Sequence, residues 1–213
     1  SYWKAVADRF SDRRLVGFCW YPSSTRPANF PARRLTAVAA FFHYYRKDVP
    51  ALLLSHLQNA EAIQKARETV RKWLLLFYRP LHIYWSYHFQ FDHMKFSAPK
   101  RLIGKERGKI LIVNVVLPSL LAWAEMQKDT ELERRIGEIY HSHPCLAENS
   151  ISRLMEHRLF GSKEKARVFI KSAHRQQALH HFFYDFCDNR ESSCSRCELQ
   201  HEPNASRLEF DLE

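Results

Sequence analysis

Ile110-Leu111-Ile112-Val113-Asn114-Val115-Val116-Leu117-Pro118-Ser119-Leu120-Leu121-Ala122-Trp123-Ala124 is the longest apolar run in the chain. Fifteen residues are few for a membrane span and ordinary for a helix of a packed core. The run is apolar nearly all round, which predicts a central buried helix from Ile110 to Met126. Pro118 has no amide hydrogen for the carbonyl four residues earlier, so a kink is expected there. Asn114 is then a buried polar group in need of a partner, and its expected role is to tie the kinked helix to a neighbour.

Upstream of this run, Ser97 to Gly108 reads as a basic loop without the glycine–lysine pattern of a phosphate-binding loop. Leu81 to Phe91 is dense in Trp, Tyr, Phe and His and follows neither the helical nor the strand period. It is read either as a core plug or, beside a basic region, as a platform on which Trp85 or Tyr87 stacks a base. Ala60 to Tyr78 is a helix with Ile63, Ala66, Val70, Trp73 and Phe77 inward, and Pro50 to Leu57 a shorter one. Before them, Asn29 can cap a helix whose first turn accepts Pro31, with Leu35, Val38, Ala39 and Phe42 on its core face. Arg33 and Arg34 sit in its first turn, where the helix dipole disfavours cations. That placement points to a phosphate or a carboxylate as their partner. Tyr2 to Phe10 is a short amphipathic helix, and the loop that follows ends near Thr25.

Downstream, Leu132 to Tyr140 is helical, and His141, His143 and Cys145 alternate in a loop. Ala147 to Phe160 is amphipathic, Gly161 is a left-handed stop, and Ser162 can cap a last helix from Lys163 to Phe186. That helix would turn Val168, Ala178, Phe182 and Phe186 inward. No segment reads as a strand. The expected fold is all-α, an irregular array of about seven or eight helices with a C-terminal cysteine-rich knuckle. Residues 1–25 form an N-terminal helix and linker, and residues 26–213 a helical domain that ends in the knuckle at 187–201.

Five cysteines are an odd number, and Cys187, Cys194 and Cys197 crowd one segment with the spacing C-x6-C-x2-C. A secreted disulfide framework would spread an even set, so a metal held in a reducing cytoplasm is expected. A closed zinc site needs a fourth ligand. His201 is nearest; His181 is the alternative, and His180 and His174 are further candidates. An iron–sulfur cluster is the second choice. The same spacing opens the cluster loop of endonuclease III-type DNA glycosylases, but Pro203 stands where that loop needs its last cysteine. The charge is also uneven. Residues 1–100 hold 16 Lys and Arg against 6 Asp and Glu, and residues 101–213 hold 17 against 17. The basicity belongs to the first half, where Arg26, Arg33, Arg34, Lys100 and Arg101 are candidate phosphate ligands.

Several motifs in order resemble a bacterial family, Domain of Unknown Function 2851. They are Arg26-Pro27-Ala28-Asn29-Phe30-Pro31 leading to Arg34-Leu35, Tyr84-Trp85-x-x-His88, and the helix with Asn114 and Pro118. Glu148-Asn149-x-Ile151, and Gln177-Ala178 leading into the cysteines, continue the series. The resemblance runs over roughly residues 2–199, with two extra residues between the first two cysteines. It implies a further N-terminal half in the natural protein, in which the chemistry would reside, and brings no activity of its own. No Gly-x-Ser-x-Gly elbow or His-Glu-x-x-His pair is present, and no catalytic constellation is identifiable. The expected function is a metal-stabilised helical module that contacts nucleic acid through its basic first half, with no membrane association. The alternative is an accessory domain of a larger bacterial enzyme, partnered by its own missing N-terminal half.

Overall fold

The computed structural model describes residues 8–9, 30–46, 49–57, 63–78, 84–89 and 95–188. The chain divides into two compact units, one of residues 1–44 and 80–102, the other of residues 45–79 and 103–213. Eight helices and no strand are present among the described residues: α1 (Pro31–Tyr45), α2 (Val49–Ser55), α3 (Ile63–Tyr78), α4 (Lys105–Gln127), α5 (Thr130–Ser142), α6 (Ser150–Phe160), α7 (Lys163–Phe169) and α8 (Ala173–Phe182). The all-α class is as expected. The linker expected before Thr25 and the knuckle beyond Asp188 lie outside the described residues.

The first unit is organised by α1. Its buried residues are Arg33, Ala37 and Phe41, one residue every turn. The face expected to be inward is the outer one: Leu35 is 63% exposed, Val38 51% and Phe42 55%. Periodicity locates a stripe, but the deeper anchor here is the Arg33 side chain, whose donors reach the carbonyls of Trp85, Lys100 and Arg101.

In the second unit α4 packs on α5 and α3, and α8 on α6 and α5. Trp73, Ile112, Ala124, Ile136 and Ile139 are almost wholly buried between these helices. Each large aliphatic side chain removed from water in this way contributes about 1.5–3 kcal/mol. Ala66, Val70, Trp73 and Phe77 are buried along α3, as its period predicted. The indole of Trp73 also donates to the Leu53 carbonyl at 3.2 Å, which joins α3 to α2. Gly108 is buried where α4 meets α3, and a Cβ there would stand 2.9 Å from Leu74 Cδ2. The glycine therefore permits the close approach.

Three features of α4 depart from expectation. Lys105 to Lys109 are the first turns of α4 rather than part of a loop. The helix is not buried all round: Ile112, Val113, Val116, Leu117, Leu120 and Ala124 face the core, while Val115, Trp123 and Met126 are exposed. By length and composition alone its 23 residues could cross a membrane. Ahead of Pro118, Ile112–Val116 forms a π-turn in which the Leu117 amide donates to the Ile112 carbonyl, five residues back. The expected disturbance at the proline thus takes the form of a widened turn.

The single helix expected from Lys163 to Phe186 is two. Ile170 ends α7, and the Ser172 side chain accepts from the Arg175 amide to start α8, which runs into a second π-turn at Phe183–Cys187. On the two helices Val168 is 50% exposed and Phe182 39%, while Ala166, Ala173, Gln176 and Leu179 are buried. The cap positions were legible in advance. Gly161 adopts φ +71°, and the Ser162 hydroxyl accepts from the Lys165 amide.

Candidate functional site

The first unit carries a basic–aromatic surface. Two backbone hydrogen bonds lay the segment 95–101 against 84–89: Phe96 N to Tyr87 O at 2.8 Å and Lys100 N to Ser86 O at 2.7 Å. Phe89 and Phe96 meet edge to face, with ring centroids 4.1 Å apart. The Lys100 ammonium lies 4.9 Å from the Phe96 ring and 5.8 Å from Phe89. Lys95 lies 4.7 Å from Tyr87. Lys95, Lys100 and Arg101 are exposed, and Tyr87 is half-buried. Lys95 and Lys100 thus offer exposed cations beside ring faces.

The other candidate residues of this unit are placed differently. Trp85 is buried, only 5% exposed, so its ring has no open face for a base. Arg33 is buried as well. Its Nε donates to the Trp85 carbonyl at 3.1 Å, and its Nη2 to the carbonyls of Lys100 at 3.0 Å and Arg101 at 3.1 Å. Those donors are spent on the backbone, not on a carboxylate or a phosphate, and burial holds the Arg33 pKa below its ordinary value. Arg34 is half-buried. Arg26 lies outside the described residues.

The second unit contains an open cleft of about 310 Å³ between α4, α8 and the loop before α6. Asn114, Asn149, Gln176, Gln177, His180 and His181 give it a polar lining, and Ile110 and Leu146 an apolar one. Asn114 sits in the π-turn of α4, exposed to the cleft rather than buried as the sequence suggested. Its expected role as a tie holds: Gln177 Nε2 donates to Asn114 Oδ1 at 2.6 Å. Gln177 Oε1 in turn accepts from the Tyr140 hydroxyl.

Across the cleft, Asn149 caps α6. Its Oδ1 accepts from the Ser152 amide at 2.9 Å, and the Ser152 hydroxyl accepts from the Asn149 amide at 3.0 Å. The remaining amino group of Asn149 meets His180 Nε2 at 3.1 Å. Gln176 is buried and uses both ends of its amide on Leu146, which pins the loop to α8. Burial and the neighbouring His181 hold His180 below its ordinary pKa, in the neutral form. Asn114, Asn149 and Gln177 belong to motifs far apart in sequence, and the fold brings them to one cleft. Tyr140, Gln176 and His180 were not anticipated as partners. The one signal was the Gln176-Gln177 pair one turn before His180-His181.

Of the expected metal ligands, Cys187 is half-buried at the end of the second π-turn, and His181 lines the cleft. Cys194, Cys197 and His201 lie outside the described residues. Among the described residues no three His, Cys, Asp or Glu side chains gather as a metal site. His174 instead contacts the His141 ring, with centroids 4.3 Å apart. His143 Nδ1 is 2.8 Å from the Pro144 carbonyl, and the Cys145 thiol donates to the Ile170 carbonyl at 3.4 Å.

Residues 4–149 match the family described as Protein of unknown function (DUF2851), and the chain belongs to that family. The match includes Asn114 and Asn149 and ends before α8. No curated protein and no solved structure matches the chain.

Proposed function

We propose that this member of the DUF2851 family is a helical module that binds single-stranded nucleic acid through the basic–aromatic surface of its first unit. The observation that carries the reading is the exposed pair Lys95 and Lys100 set over Tyr87, Phe89 and Phe96. Arg101 extends the cationic rim, and the net charge of residues 1–100 supplies a favourable field. Flexible ammonium groups would contact phosphates while Tyr87 offers a ring face to a base. Arg33 and Trp85 have no part in this contact, because one is committed to carbonyls and the other is buried.

The test is fluorescence anisotropy with labelled single-stranded RNA and DNA across a salt series. Affinity should fall steeply between about 50 and about 200 mM salt, and Lys95→Ala and Lys100→Ala should each reduce the slope by about one. Absence of binding at the lowest salt, or binding indifferent to salt, would remove the proposal.

The reading includes a zinc ion in the cysteine-rich tail, held by Cys187, Cys194 and Cys197 with His201 or His181 as fourth ligand. The cysteine spacing supports it, and the reading carries with it a reducing, cytoplasmic location, where thiolates would persist. Elemental analysis should find one zinc per chain, lost in Cys194→Ala. A brown, iron-containing sample would replace zinc by a cluster.

A second reading, an accessory domain of a larger enzyme, is favoured by one observation. Leu35, Val38 and Phe42 form an exposed apolar stripe along α1. Activity found only in a longer chain, and lost with Val38→Lys, would support that alternative.

A further inference from the structure

The cleft of the second unit has a hydrogen-bonding polarity that can be worked out atom by atom. The Tyr140 hydroxyl donates to Gln177 Oε1, so the amide of Gln177 must turn its Nε2 toward Asn114. Gln177 Nε2 donates to Asn114 Oδ1, so the Asn114 amino group, with two hydrogens, ends the relay. On the facing wall the helix cap consumes Asn149 Oδ1, which directs the Asn149 amino group toward His180. His180 Nε2 therefore accepts, and the proton of the neutral ring resides on Nδ1. Both asparagines are held by the fold with their donors unspent or half-spent. Gln176 adds none, because its amide is closed on Leu146.

The cleft is thus lined by oriented donors, with apolar surface from Ile110 and Leu146 between them. No Lys, Arg, Asp or Glu is among its lining residues. An ionic ligand would find no counter-charge on these walls, whereas a neutral acceptor would find matched partners. A volume of about 310 Å³ stands at the small end of ligand pockets. The π-turn that carries Asn114 is a second mark, since such turns occur frequently at functional sites.

We infer that the Asn114–Asn149 cleft binds a small uncharged molecule whose amide-type carbonyl oxygens lie on a compact planar body, of the size of a pyrimidine base. The two asparagine amino groups donate to the carbonyls, and Ile110 and Leu146 cover the body. The site is independent of the surface of the first unit.

Uracil is the probe, titrated into the full chain and followed by the side-chain amide resonances of Asn114 and Asn149. Pyrimidine, the same ring without the carbonyls, is the control and should bind at least about tenfold more weakly. Asn114→Asp is the decisive variant. The carboxylate still accepts from Gln177 Nε2, so the relay is kept while the outward donor becomes an acceptor. Uracil affinity should fall by about tenfold or more with an unchanged melting curve. If that variant unfolds, Asn149→Asp repeats the test, because aspartate preserves the helix cap. No response to uracil, an equal response to pyrimidine, or unaltered uracil binding in the folded Asp variant would each overturn the assignment.

Discussion

Replacing Arg33 by methionine separates a structural arginine from a phosphate-binding one. The guanidinium gives three hydrogen bonds of 3.0–3.1 Å to the carbonyls of Trp85, Lys100 and Arg101, and so fastens two chain segments to α1. A hydrogen bond from a charged donor contributes about 1.5–3 kcal/mol, and a buried carbonyl left without a donor, as that of Trp85 would be, costs about 1–3 kcal/mol. Methionine keeps the packing of the stem and also removes a charge that was costly to bury, which offsets part of the loss. The net expectation is a destabilisation of about 2–4 kcal/mol, a large share of a typical domain's 5–15 kcal/mol, roughly speaking. Arg33→Lys should do no better, because one ammonium cannot serve three carbonyls in a planar fork. Urea unfolding followed by tryptophan fluorescence reads the change directly. A shift under about 0.5 kcal/mol, within the range of ordinary surface substitutions, would refute the structural role. If nucleic-acid affinity collapsed with stability intact, Arg33 would be a phosphate ligand after all.

Asn149→Ala should destabilise the chain by about 1–2 kcal/mol through the lost helix cap, measurable by chemical denaturation. Asn149→Asp should keep the cap and set a carboxylate beside His180, lifting that imidazole from below its ordinary pKa; an NMR titration in which it stays low would contradict the contact. His143 gives the pH dependence. It is 1% exposed, and burial holds its pKa below the ordinary 6.5, so the folded state resists a proton that the unfolded chain accepts. Its contribution is complete above pH 6.5 and is lost as the pH falls from there toward the folded-state pKa, at up to about 1.4 kcal/mol per pH unit. His56, His174 and His180 are shifted the same way and add to the slope. Urea midpoints between about pH 7.5 and about pH 5.5 should fall on acidification, and His143→Gln should flatten the trend; a wild-type midpoint that rises would reverse the sign of the argument.

What the chain specifies locally was legible from residues alone. Gly161 and Ser162 terminate helices by interactions within a few residues, and each acts where the sequence placed it, whereas the helix expected from Ala147 starts only after its cap, Asn149. The inward stripe of α3 was equally readable, since an amphipathic helix declares its buried face by its period. The helical class followed from the same signals.

What depended on distant partners was not legible. The stripe Leu35, Val38 and Phe42 has the right period and the wrong side, because the Arg33 donors are satisfied only by carbonyls more than fifty residues away. The Lys163–Phe186 pattern hid a break at Ile170, since Ser172 can lie within a helix or start one, and packing of Ala173, Gln176 and Leu179 selects the second. Asn114 needed a partner, and sequence could say so; that the partner is Gln177, with Asn149 and His180 opposite, is a matter of three segments meeting in space. Local hydrogen bonds and periodicity thus determined which segments are helices and where most of them begin and end. Only the tertiary structure decided which faces turn inward and which polar groups share a cleft, because those choices are made by side chains whose partners the intervening chain separates.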